Sequence, residues 1–192
     1  MHKRFITANE LLLDAYRLAQ RIYQSGFVPD FVVGVWRGGT PVAIAVEEFL
    51  TYRGINTQHA AIKTASYTGI NEQGIVKVSG LEALMTAEQR PERLLIVDDV
   101  FDSGRSIAAI LSQLAQQSAL SSKPYPTEVK IACPWYKPSR NVTDNTPDYY
   151  LHTTEDWLVF PHELVGLSDA EIIDGKGEAV ASILRMGDKS QT

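Results

Sequence analysis

Three aspartates and two serines lie within nine residues near the middle of the chain: Asp98, Asp99, Asp102, Ser103 and Ser106. Adjacent carboxylates can bind the two hydroxyls of a diol, directly or through a hard cation such as Mg²⁺. Serine hydroxyls and the backbone N–H groups of a tight loop can hold a phosphate. These residue types together indicate a site for a phosphorylated sugar. The simpler interpretation, an acidic strand end leading into a helix cap, leaves the coincidence of acids, glycine and hydroxyls without a reason.

The segment around these residues has the pattern of a strand, a short loop and a helix. The apolar run 94–97 predicts a buried strand. Gly104 in the loop allows a ligand to approach the backbone closely. After the loop, apolar residues recur on one side of a predicted helix: Ile107, Ile110, Leu111 and Leu114. Such a turn points backbone N–H groups and the positive end of the helix dipole into one concavity.

A second loop of the same kind follows the apolar strand that is predicted at 30–36. The segment Arg37-Gly38-Gly39-Thr40-Pro41 interrupts this strand, and a helix is predicted from Val42 to Leu50. Two glycines between a strand and a helix again offer backbone N–H groups to an anion. An ordinary strand-to-helix turn is the alternative, and the Arg-Gly-Gly pattern alone does not decide between the two.

The rest of the chain alternates between predicted helices and strands. Thr7 and Glu10 form a capping box for a helix that continues to Gly26. Further strands are predicted at 57–64, 76–78, 128–133 and 147–151, with short helices at 81–87 and 179–184. This order predicts an α/β fold with an open, mainly parallel twisted sheet flanked by helices. Ligands are expected at the carboxyl ends of the strands.

The composition is that of a globular protein without an intrachain disulfide. The 192 residues are 44% hydrophobic and 21% charged, which is sufficient for one domain with an ordinary core. A net charge of −5 argues against nonspecific nucleic-acid binding. The single cysteine, Cys133, is interpreted as an inert core thiol. The four histidines lack metal-ligand spacing, and no apolar run predicts a signal peptide or membrane span, so we expect a cytoplasmic protein.

The segment Ile96–Ser106 resembles the phosphoribosyl diphosphate (PRPP) signature of the type I phosphoribosyltransferases. The shared features are an apolar strand, two acids, two apolar residues and then Asp-Ser-Gly-x-Ser. The resemblance extends over Asp30–Glu163. It implies one domain over residues 1–192, with a core at 30–135, a flap at 64–78, a small base-binding hood at 136–163 and a C-terminal extension at 165–192.

The resemblance also implies roles for the residues of the two loops. The 5-phosphate of PRPP would be held by Ser103, Gly104, Arg105 and Ser106. The ribose hydroxyls would be held by Asp98 and Asp99, with Mg²⁺ as the cofactor. The pyrophosphate would be bound by Arg37, Gly38 and Gly39. In this family the peptide bond that corresponds to Trp36–Arg37 can be cis. Asp102 would act as the general base or acid at N7 of a purine.

The polar segment 65–74 between two predicted strands is long for a compact domain. Ser66 and Tyr67 resemble the Ser-Tyr pair of the mobile catalytic flap in purine phosphoribosyltransferases. A flap would close over the reacting centre and exclude water. A solvated hairpin tip is the alternative.

Later in the chain, four residues resemble the base-binding part of the 6-oxopurine phosphoribosyltransferases. Lys137, before a proline, would donate to the purine O6, since an ammonium group has donors only. Trp157 would stack on the base, and Leu158 would offer backbone groups to its edge. Glu163 would help to hold Mg²⁺ with pyrophosphate. A solvated lysine and a core tryptophan are the alternatives for Lys137 and Trp157.

The sequence therefore predicts an enzyme that transfers phosphoribosyl from PRPP to N9 of a 6-oxopurine in a Mg²⁺-dependent reaction. The expected partners are PRPP and a purine base, with no membrane and no nucleic acid, and a dimer or tetramer is expected. Two alternatives remain. One is a PRPP-sensing regulator of the same fold that binds nucleic acid or a partner protein. The other is a phosphoribosyltransferase for another base.

Overall fold

The computed structural model describes residues 3–66, 76–86, 91–119 and 126–186. The chain divides into two compact units. The larger unit spans Leu12–Glu155, and the smaller unit combines residues before Leu12 with residues after Glu155. In chain order the described elements are β1 (Lys3–Phe5), α1 (Ala8–Gln24), β2 (Phe31–Trp36), α2 (Gly39–Tyr52), β3 (Gln58–Ser66), β4 (Val76–Ser79), α3 (Glu82–Thr86), β5 (Arg93–Val97), β6 (Val100–Phe101), α4 (Arg105–Ala119), β7 (Glu128–Tyr136), a 3-10 turn (Pro138–Arg140), β8 (Tyr149–Thr153), β9 (Trp157–Val159), α5 (Asp169–Lys176) and α6 (Glu178–Met186).

The sheet of the larger unit has the predicted mainly parallel arrangement. Within the described residues its order is β4-β3-β2-β5-β7-β6, and β8 also pairs with β7. The pair β3–β4 is antiparallel, and the other described pairs are parallel. The carboxyl ends of β2 and β5 therefore lie side by side, because the two strands pair from Phe31↔Leu94 to Gly34↔Val97. The two predicted anion loops leave the sheet at this edge.

Helices cover both faces of this sheet. On one face, α3 and α4 pack against residues of β2, β3, β5 and β7 to form a buried core: Val33, Val35, Ile62, Leu84, Leu94, Ile96, Ile107, Ile110, Leu114 and Ile131. A Cβ on Gly34 would lie on the opposite face of the sheet, 3.0 Å from the Ala43 Cβ of α2. The predicted α/β fold, with a mainly parallel sheet flanked by helices, is confirmed. Cys133 is also buried in the core, and burial raises the pKa of its thiol.

Two element boundaries differ from the prediction. Helix α2 begins at Gly39 rather than Val42, so Pro41 lies in its first turn, where a missing N–H removes no helical hydrogen bond. Strand β7 continues beyond Cys133 to Tyr136, through Pro134. Pro134 is tolerated because it lies where β7 changes neighbours, from β5, which pairs up to Ala132, to β6, which pairs from Trp135.

The smaller unit contains a two-stranded parallel sheet of β1 and β9 and the helices α5 and α6. The predicted capping box of α1 is confirmed, because Glu10 N–H donates to Thr7 Oγ1 and Thr7 N–H donates to Glu10 Oε2. The sequence pattern of this unit predicted one helix, at 179–184, whereas the structure has both α5 and α6. A second capping box, Ser168 with Glu171, starts α5 and was a readable signal. No helix in the described ranges is long and apolar enough to cross a membrane.

Candidate functional site

Asp98 and Asp99 directly follow β5, as predicted. The backbone N–H of Asp99 donates to Asp98 Oδ1 at 3.0 Å, and the N–H of Val100 donates to Asp99 Oδ1 at 2.8 Å. Asp99 is buried and Asp98 is partly buried. Burial, and then the neighbouring Asp99 carboxylate, raises the pKa of Asp98. The pair concentrates negative charge at the carboxyl end of β5, where a cation or hydroxyl donors would be favourable.

The Arg37 loop packs directly against this acid pair. A Cβ on Gly38 would lie 1.9 Å from Asp99 Oδ2, and a Cβ on Gly39 would lie 2.4 Å from the Val97 carbonyl oxygen. The two glycines are therefore needed for close packing of the loop on the acid pair. Gly38 caps α2, the Trp36–Arg37 peptide is cis, and the Arg37 side chain is exposed. The structure brings this loop and the acid pair together.

The predicted phosphate loop lies between β6 and α4. Gly104 has a φ of +77°, and a Cβ there would lie 2.4 Å from Thr143 Oγ1. Helix α4 begins at Arg105, so its free N–H groups open onto the loop. The Thr64 hydroxyl of β3 donates to Ser106 Oγ at 3.3 Å. One of the predicted phosphate-binding hydroxyls thus already contacts the strand that leads into the predicted flap.

Asp102, which begins this loop, lies between two cationic side chains. Lys137 Nζ donates to Asp102 Oδ2 at 3.3 Å, and Arg140 Nε lies 2.7 Å from Asp102 Oδ1. Oδ1 is buried and accepts no hydrogen bond, because the Arg140 group is close but not aligned with it. The Lys137 side chain is only 4% exposed, which excludes the alternative of a solvated lysine.

We call residues 137–143 the 137–143 loop. Its backbone is hydrogen-bonded to β6, where Lys137 N–H donates to the Phe101 carbonyl at 2.9 Å, and to the phosphate loop, where Val142 N–H donates to the Ser103 carbonyl at 3.1 Å. The Phe101 and Tyr136 rings pack edge to face at 5.5 Å. The predicted phosphate-binding and base-binding segments of the larger unit are therefore held together as one structure.

Sequence reasoning missed Arg140 and Thr143 in this loop. The Thr143 hydroxyl and its backbone N–H both donate to Asn141 Oδ1, at 2.9 and 3.0 Å. The Asn-Val-Thr spacing was a readable signal for this local turn. Arg140 had no such signal, because its contact with Asp102 joins segments that are far apart in sequence.

The predicted flap lies mostly outside the described residues. Ser66 ends β3 and pairs with Val76 of β4. Tyr67 lies outside the described residues. The strands β3 and β4 thus form the described base of the segment between them.

The predicted hood residues Trp157, Leu158 and Glu163 belong to the smaller unit. Trp157 pairs with Lys3 across the β1–β9 sheet and is 49% exposed, so it is not a core residue. Leu158 is buried and pairs with Arg4. Glu163 Oε2 accepts a hydrogen bond from the Phe160 N–H at 3.0 Å. Trp157 and Glu163 both line a cavity of about 130 Å³.

No cluster of three or more histidine, cysteine or acidic side chains suited to a metal ion occurs in the part of the chain that the structure describes. Asp98 and Asp99 supply a pair of carboxylates at the sheet edge. That donor set fits Mg²⁺, which is usually held by one or two carboxylates together with water and substrate phosphates.

Comparison with known proteins gives one family match. Residues 5–166 match the family model described as "Phosphoribosyl transferase domain". The matched range includes both predicted anion loops, the 137–143 loop, Trp157 and Glu163.

Several solved structures have a similar fold. A purine phosphoribosyltransferase from Pyrococcus horikoshii Ot3 is 26% identical, with a TM-score of 0.62 over 88% of this chain and 99% of that chain. A hypothetical protein from Neisseria gonorrhoeae with bound ppGpp is 18% identical, with a TM-score of 0.65 over 91% and 96%. A Helicobacter pylori xanthine-guanine-hypoxanthine phosphoribosyltransferase is 22% identical, with a TM-score of 0.63 over 83% and 92%. At such identities the last two matches speak for the fold alone.

Proposed function

Since the chain belongs to the phosphoribosyl transferase domain family and is an enzyme of the glycosyltransferase type, we propose that it transfers phosphoribosyl from PRPP to N9 of a 6-oxopurine. The bond between C1 of the ribose and the pyrophosphate oxygen breaks, and pyrophosphate leaves with the electron pair. A bond from C1 to N9 forms, and the proton on N7 passes to a base on the protein. The product is a nucleoside 5′-monophosphate.

The observation that carries this proposal is the buried Asp102 Oδ1, which accepts no hydrogen bond. A buried acceptor without a donor is costly unless a ligand supplies the donor. The N7–H of a 6-oxopurine is such a donor, and Asp102 would take its proton as the general base. Lys137, fixed beside Asp102 Oδ2, would donate to the purine O6. An adenine amino group has no acceptor suited to this ammonium.

The other groups would bind the two ends of PRPP. In this proposal, Ser103, Gly104, Arg105 and Ser106 hold the 5-phosphate, and Asp98 and Asp99 hold the ribose hydroxyls. The loop of Arg37, Gly38 and Gly39 binds the pyrophosphate with its backbone N–H groups and one guanidinium. Bound Mg²⁺, held by Asp98 and Asp99, would neutralise charge on the departing pyrophosphate. The raised pKa of Asp98 supports this assignment, since a divalent cation would relieve the repulsion between the two acids.

We also propose roles for residues of the smaller unit and of the predicted flap. Trp157 would stack on the base, as its half-exposed ring allows. Leu158 would offer backbone groups to the base edge, and Glu163 would assist with Mg²⁺, although its carboxylate already closes a local turn. Ser66 and Tyr67 would close over the centre and exclude water. We further propose a single functional domain with this hood, assembly into a dimer or tetramer, and a role in purine salvage in the cytoplasm.

Pyrophosphate release tests the proposal. The protein is incubated with PRPP, Mg²⁺ and one of five bases: hypoxanthine, guanine, xanthine, adenine or uracil. We expect release with at least one of the first three, and a nucleotide of the matching mass. Release with uracil alone would favour a transferase for another base. PRPP binding without release for any base would favour the regulatory alternative, and salt-dependent binding of nucleic acid would identify its partner.

A further inference from the structure

The Asp102 carboxylate has two cationic partners that differ in burial and in alignment. The Lys137 side chain is 4% exposed and donates a hydrogen bond to Oδ2. The Arg140 side chain is 40% exposed, and its Nε approaches Oδ1 at 2.7 Å without donating to it. The Lys137 ammonium is therefore confined by its surroundings, whereas the Arg140 guanidinium borders solvent and is held by a poorly aligned contact.

The backbone beneath Arg140 is anchored independently of its guanidinium. Arg140 N–H donates to the Lys137 carbonyl at 3.1 Å within the 3-10 turn. The Ser139 hydroxyl donates to the Glu155 carboxylate, and Val142 N–H donates to the phosphate loop. The Arg140 side chain can consequently move away from Asp102 without unfolding the turn that carries it.

The position of Arg140 has a direct consequence for a base that needs Asp102. Oδ1 is buried, and Arg140 is the cation beside it. A purine N7–H cannot reach Oδ1 unless a neighbouring group moves. Lys137 is confined and contacts the other oxygen, which leaves Arg140 as the group that can give way.

We propose that Arg140 is an exchangeable cover on Asp102: its guanidinium compensates the charge at the buried Oδ1 atom until a base arrives, and the N7–H of the base then replaces it. This inference rests on the proposed function. A partly exposed and poorly aligned ion pair contributes little to stability, so the exchange is inexpensive. Its presence nevertheless spares the protein an uncompensated charge at Oδ1. Arg140 thus competes with the base for one oxygen atom.

The test is base affinity in Arg140→Gln, which removes the charge but keeps a polar side chain. The probe is 9-deazahypoxanthine, which carries a proton on N7 and lacks the reacting N9, titrated in the presence of PRPP and Mg²⁺. We expect its dissociation constant to fall by about two- to fivefold, since a competitor of that strength is lost. The dissociation constant of Arg140→Lys, which keeps a cation, should lie between those of the wild type and Arg140→Gln.

Arg185→Gln is the matched control. Arg185 pairs with Glu178 at 2.8 Å and its side chain is 55% exposed, so this variant loses a comparable surface pair outside the proposed site. The dissociation constant of Arg185→Gln for the probe and its KM for PRPP should equal those of the wild type. Melting temperatures check that each variant folds.

The outcomes separate this inference from the function on which it rests. If the wild type releases pyrophosphate with a 6-oxopurine and Arg140→Gln binds the probe no more tightly, the exchange is wrong and only this inference falls. Weaker binding would instead make Arg140 a direct contributor to the base site, which also overturns the exchange. If the wild type shows neither turnover nor probe binding, the proposed function itself fails.

Discussion

Two acidic centres at the same edge of the sheet have opposite electrostatic surroundings. Asp98 lies against a second carboxylate, and burial together with that neighbour raises its pKa. Asp102, four residues later, has Lys137 and Arg140 within ion-pair distance. The first centre suits a ligand that brings positive charge or hydroxyl donors. The second already contains its compensating cations, and its Oδ1 atom accepts no hydrogen bond. This difference supports distinct roles, sugar and metal binding for the pair and proton transfer for Asp102.

The largest expected effect comes from Asp102→Asn. The change removes the proposed proton acceptor while leaving the acid pair and the phosphate loop in place. We expect kcat to fall by about a hundredfold or more, with little change in PRPP binding. Steady-state kinetics and PRPP titration measure the two effects. Unchanged turnover would remove the proposed distinction between the two centres.

The second effect concerns the packing of the Arg37 loop on the acid pair. In Gly39→Ala, the new Cβ would meet the Val97 carbonyl oxygen at 2.4 Å, a backbone atom of the sheet that cannot move aside. We expect a loss of about 1–3 kcal/mol in the free energy of unfolding and a raised KM for PRPP. Denaturant unfolding and kinetics provide the measurements.

Gly177→Ala is the control for that change. Gly177 has a φ of +90°, but a Cβ there would meet nothing within 4 Å. It should lose about 1–3 kcal/mol from backbone strain, because φ +90° with ψ 159° is a region that glycine alone adopts readily, and it should leave the KM for PRPP unchanged. A normal KM in Gly39→Ala would mean that the close approach of the loop to the acids is not needed for substrate binding.

A smaller expected effect is the pH dependence of stability at the acid pair. The pKa of Asp98 is raised in the folded protein. Protonated Asp98 therefore contributes favourably to stability at pH values below the pKa of Asp98 in the unfolded chain, and this contribution is lost as pH rises through the pKa of Asp98 in the folded protein. Asp98→Asn should therefore be more stable than the wild type at neutral pH without Mg²⁺. The gain in the free energy of unfolding follows from the higher proton affinity of Asp98 in the folded chain than in the unfolded chain.

Chemical denaturation from pH 4 to 8 measures this gain, which should shrink toward acid pH. The exposed Asp174→Asn serves as the control and should show no such trend. A variant that is less stable than the wild type at neutral pH would mean that burial and the Asp99 carboxylate do not disfavour the ionised form of Asp98.

The smallest expected effect concerns Glu10, a carboxylate whose contribution to stability depends on pH in the opposite direction to that of Asp98. Hydrogen bonds from the Thr7 backbone and side chain lower the pKa of Glu10, so its contribution is present above the pKa of the unfolded chain and is lost as pH falls through the folded value. Glu10→Gln should lose less than about 1 kcal/mol at neutral pH. The loss should vanish at acid pH in the same denaturation series. A constant loss at every pH would assign the effect to helix packing instead.

Local patterns predicted most of the fold because they report local structure. The apolar run before Asp98 predicted β5, and the spacing of Ile107, Ile110 and Leu114 predicted α4, each of which the structure confirms. Thr7 and Glu10 predicted the start of α1. Errors occurred where tertiary context outweighs a local rule. Pro134 stays within β7 because the strand changes partners there.

The candidate site could be predicted only in part for the same reason. The signature at 96–106 and the Arg37 loop are each continuous in sequence, so their residue types indicated anion-binding loops. The hydrogen bond between Asp102 and Lys137 spans 35 positions, and the one between Thr64 and Ser106 spans 42. No pattern in either segment specifies its partner.

The sequence by itself determined the alternation of strands and helices, the two glycine-containing loops and the acids at the end of β5. Only the tertiary structure decided that Gly38 and Gly39 press against those acids, and that Arg140 lies beside Asp102. Periodicity and turn chemistry act over a few residues and can be read along the chain. Burial, steric contact and charge pairing act through space, so they exist only once distant segments have been brought together.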